Sequence, residues 1–128
     1  MRETKFRAWC TYEEKMYVKF YIDEHATYAF MHELLESAKE RYKLMQYTGL
    51  QDIKGLGIYE GDILKDSGKA IRVVIFENGA FGYISKTRTS FYSDATIDLF
   101  VPLYQHLEEL EIIGNRFENP ELLGGNEE

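Results

Sequence analysis

The chain has 128 residues, enough for a single domain, and its 45% apolar content suffices for a core without metal or disulfide staples. A lone cysteine, Cys10, excludes an internal disulfide, and no apolar run approaches the roughly 18 residues that a membrane-spanning helix needs. The formal net charge of −7 repels phosphate backbones and argues against tight non-specific nucleic-acid binding.

Ten Tyr, eight Phe and one Trp favour strands and broad packed faces over a helical bundle. Arg2, Glu3, Lys5 and Arg7 interrupt any leader-like apolar run, so a cytoplasmic protein is expected. Residues 5–9 alternate, with Phe6 and Ala8 on one face and Lys5, Arg7 and Trp9 on the other. This strand is expected to pair with residues 16–22 across the polar link 11–15. Met16, Val18, Phe20 and Ile22 would then form the inner face of the hairpin. Trp9 reads as a ring near a sheet edge that covers the core.

Over residues 27–43 the period changes. Tyr28, Met31, Leu34, Leu35, Ala38 and Tyr42 recur at helical spacing, which predicts an amphipathic helix packed on one face of the sheet. His25 and His32, about two helical turns apart, make a poor metal site without a third ligand. Residues 44–47 read as a short strand closed by Thr48-Gly49, and residues 51–57 as an exposed turn. Gly55 and Gly57 lack the third glycine of a dinucleotide fingerprint.

Glu60-Gly61-Asp62 places two carboxylates around a glycine. An acid–base pair would need both on one face of an extended chain, and Gly61 favours a bend that separates them. The expected role is a turn in which Asp62 accepts backbone N–H groups and starts the strand 63–65. A second turn is expected at Ser67-Gly68-Lys69. Two apolar runs, 70–77 and 80–85, flank Asn78-Gly79, which suits a type I′ hairpin turn because both central residues need positive φ. Gly82 leaves room for an aromatic neighbour or a bulge.

Residues 95–101 fit either an edge strand or a helical turn. Pro102 then opens a segment in which Leu103, Leu107 and Leu110 recur at helical spacing, predicting a short helix over about 102–110 with His106 on its surface. Residues 111–118 return to strand chemistry, and the tail 124–128 is expected to be disordered. The fold class is therefore mainly β with minor α: a small SH3-like or partly open antiparallel barrel, one domain over 1–123, carrying the two helices.

Several of these pieces carry a resemblance. Leu44-Met45-Gln46-Tyr47-Thr48-Gly49-Leu50 followed by Ile58-Tyr59-Glu60-Gly61-Asp62-Ile63 resembles the signature of the YopX family of small proteins encoded by phages and prophages. Residues 5–9, 74–81 and 112–122 agree with it in the same order. Departures fall at Cys10, where relatives usually carry Asp, and over 24–43. The resemblance implies a mainly β domain of phage or prophage origin, working in a host bacterial cell, with no established reaction and no catalytic residues to carry over.

No nucleophile–base pair, metal-ligand set or phosphate loop emerges from the spacing, so no catalytic residue, cofactor or metal is assigned and the chain is not read as an enzyme. A noncatalytic protein-binding or regulatory module is favoured, with an unidentified protein partner or a homo-oligomer as its assembly. The alternative is weak single-strand nucleic-acid binding. Residues 63–90 hold five basic side chains (Lys65, Lys69, Arg72, Lys86, Arg88) against two acids, about +3, and over 65–92 these interleave with Tyr83, Phe91 and Tyr92. Residues 105–128 hold seven acids and one Arg116. The basic stretch equally suits the solvated outer positions of an antiparallel sheet.

Overall fold

Alternating and β-branched residues produce ten strands in the computed structural model, which describes residues 5–21 and 42–124, the side chains of 19–21 excepted. The helix expected over 27–43 lies outside the described residues up to residue 41, as do Ile22, His25, His32 and the tail from residue 125. Its last two residues, Tyr42 and Lys43, open a strand instead. Among the described residues no helix is long and apolar enough to cross a membrane. The chain divides into two compact units, 1–49 and 50–128.

In the first unit, β1 (Lys5–Cys10), β2 (Lys15–Tyr21) and β3 (Tyr42–Gln51) lie in the order β2-β1-β3. The hairpin expected from alternation is present, yet its faces differ from the expected ones. Phe6 pairs with Phe20 and Ala8 with Tyr17, so β2 uses three residues where β1 uses two. This bulge inverts the alternation on its far side. Tyr17 consequently shares a face with buried Ala8, while Val18 is exposed. Trp9 lies on a central strand, paired with Met16 on one side and Lys43 on the other, not near an edge. Thr48-Gly49 does not end β3; Gly49 takes φ 85° and the strand continues to Gln51.

The second unit holds β4 (Gly57–Tyr59) and two three-stranded antiparallel sheets. One runs β10-β5-β6, from Glu111–Asn115, Asp62–Lys65 and Ile71–Val73; the other runs β7-β8-β9, from Ile75–Glu77, Ala80–Arg88 and Thr96–Pro102. The apolar run 70–77 is thus split at Val74, which changes sheets. Its N–H donates to Asp62 O at 2.9 Å and its C=O accepts from Gly61 N at 2.8 Å, so the buried kink leaves neither group unpaired. Asn78 and Gly79 take φ of 53° and 84°, as a type I′ turn requires.

The core of this unit is Ile58, Leu64, Val74, Tyr83, Leu103 and Leu110, with Phe81, Val101, Leu107 and Ile112 packed against it. Each fully buried Leu or Ile contributes about 1.5–3 kcal/mol relative to exposure. Residues 95–101 resolve as strand β9. The helix expected over 102–110 is two 3-10 turns, Leu103–Gln105 and Leu107–Glu109, broken at His106 with φ −135°. Eight residues between β9 and β10 are too few for a stable α-helix, and two tight turns suffice to bury Leu103 and Leu110.

Gly82 is where the sheet is tightest. A Cβ built there would stand 2.3 Å from Val101 O and 2.5 Å from Phe100 Cζ, on the neighbouring strand β9. The expected aromatic neighbour is therefore Phe100. Because the closest atom is backbone, Gly82→Ala must push the strands apart, and we expect a loss of about 2–3 kcal/mol in a denaturant titration. A loss below about 0.5 kcal/mol would show that β9 yields freely.

Candidate functional site

Of the two carboxylates that flank Gly61, Asp62 is engaged in holding backbone. Asp62 is buried, and its Oδ2 accepts from Tyr59 N at 2.8 Å, closing the turn that launches β5. Gly61, with φ 90°, accepts at its O from Arg116 N at 2.9 Å. The Glu-Gly-Asp turn thus joins Val74 on one side and the segment after β10 on the other. Asp62 takes the turn role expected of it.

Asn115 closes that segment. Its Oδ1 accepts from Phe117 N and Glu118 N at 3.0 and 2.9 Å, and its Nδ2 donates to Glu118 Oε1 at 2.8 Å. Asn119 returns the bond, its Oδ1 accepting from Asn115 N at 3.1 Å. A Cβ on Gly114 would lie 2.5 Å from that same Oδ1, so only glycine lets Asn119 fold back. The Gly-Asn and Asn-Pro pieces of the sequence are two ends of one turn.

Asp52 was not singled out by the sequence, which assigned 51–57 to an exposed turn. Only 6% of it is exposed. Its Oδ1 accepts from Lys54 N and Leu56 N, each at 2.9 Å, and its Oδ2 from Ile112 N at 2.9 Å. Burial alone drives its pKa upward, but the three N–H bonds and the nearby Lys54 outweigh that, holding the carboxyl below its ordinary value of 3.8. Above this joint, Lys54 and Glu111 pair at 2.8 Å, which raises the lysine and lowers the glutamate. An Asp followed two residues later by Lys-Gly is an Asx-turn signal, and it was there to be read.

The seven residues proposed as a basic and aromatic contact do not form one open surface. Arg72 lies 3.5 Å from Asp66, with its guanidinium 5.0 Å from the centre of the Tyr83 ring. Tyr83 is only 5% exposed, and burial pushes its phenol upward against the opposing pull of Arg72. A ring so covered offers no face to a base. Lys86 pairs with Asp98 at 3.0 Å and Arg88 with Asp94 at 3.3 Å. Lys65 ends β5 opposite Glu111, and Lys69 sits exposed at the 67–69 turn, held in positive φ by the Asp66 carboxylate capping Ala70 N. Tyr92, beside Phe91, lies exposed in the β8–β9 connection.

That connection carries the two most exposed large side chains among the described hydrophobic residues. Phe91 and Tyr92 are 91% and 98% exposed, and Ile84, Ile97 and Leu99 are exposed on the strands below them. Elsewhere, His106, Glu108 and Glu109 bring one ligand atom each within 4.8 Å of one another. Such a set suits a divalent cation in donor chemistry, but both carboxylates are exposed and Glu109 already accepts from Ser67 Oγ at 2.9 Å. Neither Glu60 nor Asp62 belongs to the group.

Replacing Asp52 tests the joint. Asp52→Ala strands three backbone donors, and we expect a loss of about 3 kcal/mol by denaturant titration near neutral pH. Because the folded pKa is below the unfolded one, the carboxylate's contribution is complete above pH 3.8 and is lost as pH falls through the folded value. Asp52→Asn should therefore be destabilised at neutral pH yet show a flatter acid limb than the parent. Parallel acid limbs would contradict the assigned bonds.

Comparison with known proteins bears on the whole of this architecture. The family model described as YopX protein matches residues 5–124. The crystal structure of protein EF1440 from Enterococcus faecalis is similar, with a TM-score of 0.56 and 25% identity, covering 96% of this chain and 99% of that one. Comparison with curated proteins found no match.

Proposed function

Because this chain belongs to the YopX family, whose model spans both of its units, we propose that it is a noncatalytic accessory protein of a phage or prophage that binds another protein in the host cytoplasm. The observation that supports this reading is the exposed aromatic pair Phe91-Tyr92 at the tip of β8 and β9. Two adjacent aromatic side chains almost wholly in water are costly to leave uncovered and are the usual anchors of a protein interface. The cations beneath them are matched by Asp94 and Asp98, which removes most of the electrostatic pull on a phosphate chain. The signature carboxylate Asp62 and the Asn115 turn, meanwhile, are committed to backbone bonds at the ends of β5 and β10, in the other sheet from the β8–β9 arm that carries Phe91 and Tyr92.

Phe91→Ser combined with Tyr92→Ser should leave stability within about 0.5 kcal/mol, since both rings are exposed. In vivo crosslinking followed by affinity capture of the tagged full chain should recover a protein with the parent and lose it with the double variant. Undiminished capture by the variant would move the binding surface elsewhere. A shift of a single-stranded oligonucleotide at low salt, abolished by neutralising Lys65 and Lys69, would instead favour the nucleic-acid reading.

A further inference from the structure

We infer that the outer edge of β9 binds a second copy of this chain, strand against strand, about a two-fold axis at Leu99; the inference rests on the reading of the arm as a binding surface and names its partner.

The edge is open. β9 is the terminal strand of β7-β8-β9, and among the described residues no strand pairs its outer side. The hydrogen-bond pattern says which groups face outward. Thr89 N donates to Ala95 O at 3.1 Å, and the register Arg88↔Thr96 makes those two residues the next opposed pair. Bonded and non-bonded pairs alternate along an antiparallel ladder, so Ile97, Leu99 and Val101 direct their N–H and C=O groups toward β8. Thr96, Asp98 and Phe100 direct theirs to the open side. Pro102, which has no N–H, ends the strand.

Side-chain pattern then selects the register. Ile97 and Leu99 continue the face on which Val101 and Tyr83 pack against the core, but past the point where this chain covers it: the two are 48% and 44% exposed. With the axis at Leu99, the two Leu99 side chains oppose each other and each Ile97 lies opposite Val101 of the second copy. The uncovered end of each apolar face is thereby placed against the half-buried end of the other. Asp98 falls opposite Phe100 of the second copy in a hydrogen-bonded pair, so no like charges meet. Moving the axis to Asp98 would set the two carboxylates against each other. The net charge of −7 does not oppose the contact, because the arm itself is balanced, Lys86 by Asp98 and Arg88 by Asp94. The self-matching of one patch about a two-fold axis closes the assembly at two copies.

Cysteine crosslinking tests this register. In a non-hydrogen-bonded antiparallel pair the Cα atoms lie about 4.5 Å apart, inside the disulfide window of roughly 4.4–6.8 Å. Leu99→Cys should therefore form a covalent dimer under mild oxidation. Ile97→Cys, equally exposed, would place its two Cα atoms about 13 Å apart along the strands and serves as the control. The native Cys10 is buried and competes with neither. We expect crosslinking of Leu99→Cys at least about tenfold faster than of Ile97→Cys. We also expect a concentration-dependent rise of the parent's mass in sedimentation that Leu99→Lys abolishes. Equal rates at the two positions, or a parent that stays monomeric, would overturn the inference. If the monomeric parent still captures a protein through Phe91 and Tyr92, the binding-module reading survives and only its assignment to a second copy fails.

Discussion

A buried carboxylate that collects three backbone N–H groups is the constraint on which the larger unit depends. Asp52 accepts from two amides of its own turn and from Ile112 at the start of β10, sixty residues away in sequence. Ile53 N adds a bond to Leu110 O at 3.0 Å across the same joint. Neutral hydrogen bonds of this kind contribute about 1 kcal/mol each, and those to a charged acceptor more, whereas an amide left buried without a partner costs a comparable amount. The joint thus fixes where β10 begins, and with it the pairing of β10 to β5. Asp62 and Asn115 repeat the device at the other end of that strand pair.

This use of polar residues accounts for the Asp62 and Asn115 positions in structural terms. Short strands joined by irregular turns leave many backbone donors inside, and a small unit has few regular ladders to absorb them. Aspartate and asparagine are suited to the task, since their short side chains reach amides two to four residues away. The Glu-Gly-Asp and Gly-Asn pieces are then required by the turns, whatever the protein binds. The fold makes no such demand on Phe91 and Tyr92, whose rings are exposed in the β8–β9 connection.

What was legible in the sequence was what is decided locally. Asn78-Gly79 specifies its turn by φ alone, Gly82 announces a close neighbour, and Gly61 bends the chain so that Asp62 can cap it. The features that were not legible depend on distant partners. The bulge in β2 shows only in its pairing with β1, so alternation assigned Val18 to the wrong face. Val74 changes sheets because Gly61 and Asp62 claim both of its backbone groups, and nothing in a continuous apolar run says so. The spacing of Leu103, Leu107 and Leu110 fits a helix and two 3-10 turns equally well; the short span between β9 and β10 decides. For the candidate contact, the positive charges were visible, but their partners Asp66, Asp94 and Asp98 became so only when the strands were paired.

The arm also poses a problem that any solution must answer. An exposed strand edge invites indiscriminate pairing, and proteins ordinarily blunt it with lysine, an interior proline or a bulge. β9 carries none of these within its span: its sequence is Thr-Ile-Asp-Leu-Phe-Val-Pro, with proline only at the last position. Its one charge, Asp98, is already matched by Lys86 on the neighbouring strand and so repels little except another Asp98. That single charge leaves hydrophobic pairing open while penalising the one register that would bring two carboxylates together. An edge with this pattern disfavours that one register and leaves the choice among the others to side-chain packing.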